Sequence, residues 1–261
     1  MEGLRHQKQT DLDTPANRDV AILSKLLKKV RTLIETELDV QITTLAPVFF
    51  SLDKDQTEKV QDAMESVGLK STHSDVFTRG DVITDTTAAY AGTGALLCRS
   101  WMNLKRCRLE RSAAHDRTVL FLGFHDHSFS ASIQNIHSDA TFHAIGPQVN
   151  SAELGWWDLP VFEAPRARFW AQVQEAIVSV VSALGRESIS KVVLMGEHGA
   201  NDEFKDIAEA AIWGALEIDV GPLLHVETVE GTERIAARGA ADMAWRKEYW
   251  RRKADVFTAN H

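Results

Sequence analysis

The stretch that most constrains the fold is Thr118-Val119-Leu120-Phe121-Leu122, an almost unbroken apolar run between the charged Asp116-Arg117 and Gly123. A strand with one solvated face alternates apolar and polar residues, whereas a strand that is apolar throughout must be covered on both faces. The turn Gly123 to His127 leads into Phe129, Ala131 and Ile133, which alternate at period two, so the two segments read as a β-hairpin. Strands and helices are mixed in each half of the chain, which suggests an α/β architecture of two lobes.

Helices and further strands are legible on either side. Leu23, Leu26, Leu27, Val30, Leu33, Ile34 and Leu38 recur at three-four spacing with lysines and glutamates opposite, which predicts a long amphipathic helix. Val40, Ile42 and Thr44 alternate as a strand that stops before Pro47. Ser51 or Asp53 can cap a helix carrying Val60, Ala63, Met64 and Val67, with Gly68 ending it in the left-handed conformation. A weaker strand around Val76 to Ile83 leads to Asp85, a good N-cap for a small-residue helix from Thr86 to Leu97.

The polar, basic segment Lys105 to Arg117 separates the halves. Beyond the hairpin, Thr141 to Ile145 adds a third strand. Residues 147–166, with Pro147, Pro160 and Pro165 around Trp156-Trp157, form an ordered loop. Phe169, Val173, Ile177, Val180 and Leu184 mark a helix, Val192 to Met195 a short buried strand, and Asp202 to Leu216 another helix. Leu223 to Val229 is a strand, and Thr232 to Lys253 the final helix, rich in small residues at its start. This organisation predicts a loosely attached polar tail at 1–17, a partial first lobe at 18–115 and a second lobe at 116–261.

Composition narrows the function classes. With 261 residues, 44% of them hydrophobic, the chain can bury a large core. A formal net charge of -8 argues against nucleic acid as a partner, since duplex binding needs clustered Lys and Arg. The basic runs Lys105 to Arg111 and Arg246 to Lys253 are short and read as solvated helix faces. No apolar run is long enough to span a bilayer, and Met1 to Asn17 lacks the apolar core of a leader peptide. A cytoplasmic protein that does not engage membrane is expected. Cys98 and Cys107 lack zinc-site spacing.

Several stretches, in order, resemble one superfamily. Pro47-Val48-Phe49-Phe50 with the Gln56 to Leu69 helix resembles a strand–helix unit in the nucleotide-binding domain of the seventy-kilodalton heat-shock chaperones. Ile83-Thr84-Asp85-Thr86-Thr87-Ala88-Ala89-Tyr90 resembles that domain's first connecting helix. Thr118 to Ser132 occupies the place of its second phosphate-binding hairpin, and Lys191 to Glu197 resembles the strand and turn that hold adenosine. Gly155-Trp156-Trp157 and Gly239 to Arg246 are similar to divergent filamentous-fungal members of the actin-like ATPase group.

The resemblance implies a two-lobed actin-like ATPase (ribonuclease H-like) fold whose first lobe is shortened at its N-terminus. It also implies departures that remove hydrolysis. Gly123 and Ser130 stand where the family has two aspartates, and Phe124, His125, Asp126 and His127 replace the glycine run that cradles phosphate. Glu197 replaces a glycine at the adenosine turn, and nothing matches the first phosphate hairpin or the catalytic lysine. Phosphoryl transfer is mostly positioning and charge neutralisation, so neither ATP nor Mg²⁺ is expected as a cofactor.

Unusual chemistry sits at two strand ends, where open α/β sheets bind ligands. His125, Asp126 and His127 tip the hairpin, and His198 follows Glu197. Imidazoles beside carboxylates suit acid–base catalysis near neutral pH. Equally, the turn can be simply solvated, with Glu197-His198 capping the next helix. His125 and His127 can also be two ligands of a metal site that needs a third from Glu197, His198 or Asp85, although no metal is the principal expectation. A ligand cleft would draw on Asp85, Gly123, Phe124, Ser128, Gly196, Glu197, Trp156 and Trp157. Two functions follow. One is a pseudo-ATPase that works by binding a protein partner or small ligand, with homodimerisation invited by an uncovered sheet edge. The other is a cofactor-independent isomerase, cyclase or lyase using His125, Asp126, His127 and His198. Nucleotide binding without hydrolysis is a third.

Overall fold

A computed structural model describes residues 15–50, 54–72, 83–95, 98–113, 115–136, 142–185, 188–225 and 229–258. The chain divides between Thr84 and Asp85 into two compact units. The split precedes the sequence boundary at 115/116, because the helix starting at Asp85 packs within the second unit.

The first unit contains α1 (Pro15–Leu38), β1 (Thr44–Leu45), β2 (Val48–Phe49), α2 (Lys54–Ser66), β3 (Lys70–Ser71) and β4 (Ile83–Thr84). Strand β1 pairs in parallel with β3, and β2 with β4. Leu23 and Leu27 of α1 pack with Val60, Met64 and Leu69, joined by Ile42, Leu45 and Phe49. Arg31 donates to the Val67 carbonyl at 2.8 Å. Gly68 takes φ +72°, and the Leu69 N–H returns to the Met64 carbonyl at 2.9 Å, so α2 ends as its glycine predicts. The expected cap at Ser51 or Asp53, the expected strand before Ile83, and residues 1–14 of the expected tail lie outside the described residues. Pro15 to Asn17 belong to α1 rather than to a tail. Of the strand predicted over Val40 to Thr44 only Thr44 lies in β1, and β2, past Pro47, pairs in a separate two-stranded sheet.

The second unit contains α3 (Asp85–Gly92), α4 (Leu104–Ser112), β5 (Arg117–Phe124), β6 (Phe129–Ile136), β7 (Phe142–Ser151), α5 (Glu163–Val181), β8 (Lys191–Met195), α6 (Asp202–Leu216), β9 (Leu224–His225) and α7 (Val229–Thr258). Its five-stranded sheet has the order β7-β6-β5-β8-β9. The three strands β5, β6 and β7 run antiparallel in sequence, and β8 and β9 are parallel to β5 and to each other. The result is an α/β fold with a mixed sheet.

Burial on both faces explains the unbroken apolar run. Leu120, Leu122 and Phe124 enter one core with Ile177 and Val180 of α5 and Ala208 and Ile212 of α6. Val119 and Phe121 enter the other with Ala89 and Tyr90 of α3 and Ile235 of α7. Helices α3 and α7 cross almost backbone to backbone: a Cβ on Gly239 would lie 1.9 Å from the Ala88 carbonyl oxygen, and one on Gly92 2.1 Å from that of Ile235. Their small residues are a condition of that crossing.

Differences from the sequence reading have local causes. Strand β7 runs on through Pro147, where the sequence predicts a loop. It is an edge strand, and opposite Ala131 and Ile133 it slips register through a bulge holding Gly146 at φ +69° and Pro147. The basic run Lys105 to Arg111 lies in helix α4, in keeping with its reading as a helix face, and the Asn103 side chain accepts from the Arg106 N–H at 3.1 Å. Helix α3 ends at Gly92, short of Leu97. Cys98 and Cys107, given no role by their spacing, are joined as a disulfide with Cα atoms 5.3 Å apart. No helix among the described residues is long and apolar enough to cross a membrane.

Candidate functional site

The hairpin tip between β5 and β6 and the turn after β8 lie side by side, because β5 and β8 are parallel neighbours with Gly123 opposite Met195. Two reciprocal pairs join them. His125 Nδ1 is 2.9 Å from Glu197 Oε2, and His198 Nε2 is 2.8 Å from Asp126 Oδ1. The backbone adds a third tie, from the His198 N–H to the Phe124 carbonyl at 3.0 Å. All four side chains are partly exposed, from 23% for His198 to 44% for Glu197.

Glycines make the approach possible. A Cβ on Gly196, which has φ +93°, would come within 2.5 Å of the Phe124 carbonyl oxygen and 2.9 Å of His125 Nδ1. A Cβ on Gly123 would lie 2.9 Å from His125 Nε2 and 2.4 Å from Ser130 Oγ. The imidazole of His125 thus lies in the notch that Gly123 and Gly196 leave open. Gly196 also donates its N–H to the Thr232 carbonyl of α7 at 3.1 Å.

The Trp156-Trp157 loop closes the other side of the tip. Trp156 and Trp157 donate their backbone N–H groups to the carbonyls of His125 and Asp126, at 2.9 and 3.0 Å. The Trp156 ring stacks on His198, with centroids 4.2 Å apart and planes 12° from parallel. Gly155 admits this contact, since a Cβ there would lie 2.5 Å from the His127 carbonyl carbon. The His198 hydrogen bond, ahead of the Trp157 side chain and the charges of His198 and His127, holds the Asp126 carboxyl below the usual range.

Of the residues singled out in the sequence, His125, Asp126, Glu197, His198, Trp156, Gly123 and Gly196 come together here. His127 is exposed, and Ser128 contributes its carbonyl to the His125 N–H at 2.9 Å. Phe124 is corrected from the ligand surface to the core: it is fully buried among Trp156, Trp170 and Phe204, at the core-facing position of β5. Glu197 and His198 do not cap the next helix. Asn201 does, accepting from the Phe204 N–H at 3.0 Å. No hydrogen bond or ion pair links Asp85 to the cluster. Its carboxylate accepts the Thr86 N–H at 2.6 Å, and burial pushes its pKa up to about 6.

Among the described residues, no three His, Cys, Asp or Glu side chains are placed to hold a metal ion. Of the candidate ligands, His125 faces Glu197 and His198 faces Asp126, whereas His127 is exposed. Gly155 enters the sequence reading only within the Gly155-Trp156-Trp157 likeness, with no role at the hairpin tip, and the Thr232 carbonyl has no signal in the sequence. Compared with known proteins, the chain matches no family model and no curated relative.

Proposed function

We propose that the chain is a degenerate actin-like, heat-shock-chaperone-like domain that acts by binding and does not hydrolyse ATP. The observation that carries this reading is the His125 imidazole seated between Gly123 and Gly196 and held there by Glu197. Under the resemblance, these are the hairpin and the turn that would face the nucleotide. The room their glycines leave is taken by a side chain of the protein itself. Glu197 adds a carboxylate where a nucleotide would bring further negative charge, and like charges at short range repel. The adjacency of the two turns on parallel neighbours β5 and β8, and the close crossing of small-residue helices α3 and α7, also support the reading.

Thermal-shift measurement with ATP, ADP and Mg²⁺ tests it. The expected result is no stabilisation and no released phosphate. Stabilisation by several degrees, or turnover abolished by Asp126→Ala or Asp85→Ala, overturns it. A second reading, proton transfer on a small organic substrate, is favoured by one observation: two imidazole–carboxylate pairs stand side by side and partly open to solvent. Such an enzyme would lose activity in His125→Ala and His198→Ala variants whose folding is intact.

A further inference from the structure

Two surfaces of the chain expose large apolar side chains that neither unit's own core uses. On α1, Ile22, Leu26, Val30 and Leu33 are 59, 54, 42 and 60% exposed. Their spacing of four, four and three places them in one stripe, beside the face that packs Leu23 and Leu27 against α2. Arg18, Lys25 and Lys29, all exposed, line one flank of that stripe.

The second surface is the loop before α5, where Trp157, Val161 and Phe162 are 67, 89 and 79% exposed. Asp158 and Glu163 lie beside them, also exposed. This loop is held in shape. Besides the bonds from Trp156 and Trp157 to the hairpin, the Asp158 N–H reaches the Gly155 carbonyl at 3.1 Å and the Leu159 N–H that of Trp156 at 3.1 Å. Arg166 binds the Pro160 carbonyl at 3.2 Å, while its pairing with Glu203 occupies its charge. Apolar side chains presented on a fixed backbone cost little conformational entropy to bury against a partner.

We infer that α1 of one copy docks on the Trp157–Val161–Phe162 surface of a second copy. An amphipathic helix laid on an apolar surface is a recurrent mode of recognition. The charges match as well: the basic flank of the α1 stripe meets the acidic rim supplied by Asp158 and Glu163. Self-pairing of α1 lacks this match, since an antiparallel pair sets Arg18, Lys25 and Lys29 against the same flank of the other helix. Two different surfaces make the contact heterologous, so each copy added leaves one helix and one loop unused. Assembly extends with concentration or closes as a ring, and salt weakens it. This inference does not depend on whether a nucleotide binds.

The test is sedimentation of the full chain over a wide concentration range at low and high salt. Two variants are needed, Leu26→Asp/Leu33→Asp in the helix and Val161→Asp/Phe162→Asp in the loop. Wild type should form species larger than a monomer, and each variant alone should stay monomeric. An equimolar mixture of the two variants should give a one-to-one dimer that grows no further, because each retains the surface the other has lost. That dimer also shows that both variants fold. If aspartate unwinds α1, Leu26→Gln/Leu33→Gln is used instead. Monomeric wild type at every concentration, or a mixture that stays monomeric, overturns the inference. So does assembly of the loop variant by itself.

Discussion

His125 and Glu197 meet at 2.9 Å across 72 residues of sequence, and the next residue of each segment repeats the contact in reverse, Asp126 with His198 at 2.8 Å. Each turn thus contributes one imidazole and one carboxylate. Either turn alone would carry a histidine and an acid with no fixed geometry. Together they fasten the hairpin tip to the end of β8.

The notch matters more than the pair. His125 and Glu197 are partly exposed, so Glu197→Gln should cost only about 0.2–1 kcal/mol of stability. Gly196→Ala must leave a φ of +93° and push its Cβ off the Phe124 carbonyl oxygen, so a loss on the order of 2–4 kcal/mol is expected. Urea denaturation of both variants checks the order.

Two aspartates should give opposite pH signatures. Asp126 is held low chiefly by its His198 hydrogen bond, so its contribution is present above the ordinary carboxylate pKa and is lost as pH falls through the depressed value. Asp85 is pushed up by burial from 3.8 to about 6, so the folded state holds its proton more tightly than the unfolded chain does. Stability therefore falls as pH rises between those values and stays lowered above them. Asp85→Asn keeps an acceptor for the Thr86 N–H and removes the charge. At pH 7 it should stabilise the fold by on the order of 3 kcal/mol, and at pH 3 by nothing. Thermal melts at the two pH values decide it.

Much of this fold is legible because the apolar periods are unambiguous. The run Val119 to Leu122 requires cover on both faces, and the helices over Phe169 to Val180 and Asp202 to Leu216 follow from their spacing. Strand β7 is harder, because Pro147 argues against a strand unless its edge position and bulge are already known. The site is half legible. The unusual residues at 125–127 and 197–198 stand out, but which imidazole meets which carboxylate depends on the parallel register of β5 and β8. That register comes from long-range pairing, which no local pattern encodes.

Glycine placement separates two kinds of substitution. Gly239→Ala would set a methyl 1.9 Å from the Ala88 carbonyl oxygen and 2.4 Å from the Gly92 nitrogen, backbone atoms that cannot swing aside. It should lower stability by about 3 kcal/mol or more by prising α3 from α7. Gly214 lies within α6 with nothing inside 4 Å of an added Cβ. There, Gly214→Ala should stabilise by about 0.5–1 kcal/mol, through helix propensity alone. Opposite shifts in melting temperature are expected. A Gly239→Ala variant as stable as wild type would mean that the two helices do not cross at these residues.

Glu203 offers the sharpest test of the second unit's packing. Its carboxylate accepts from Arg166 and from the indole N–H of Trp170, whose side chain is 4% exposed, and the Arg166 guanidinium holds it below the usual carboxylate range. Glu203→Ala strands that indole N–H in the core, so a loss of about 1–3 kcal/mol is expected. Glu203→Gln retains an acceptor for Trp170 and gives up only the charge on Arg166, so it should cost less. It should also remove part of the stability lost in acid, because a carboxyl depressed in the folded state must be protonated as the protein unfolds. Chemical denaturation near neutral pH and again near pH 3, followed by tryptophan fluorescence, would show both effects. Equal losses for the two variants would mean that Trp170 does not depend on this acceptor.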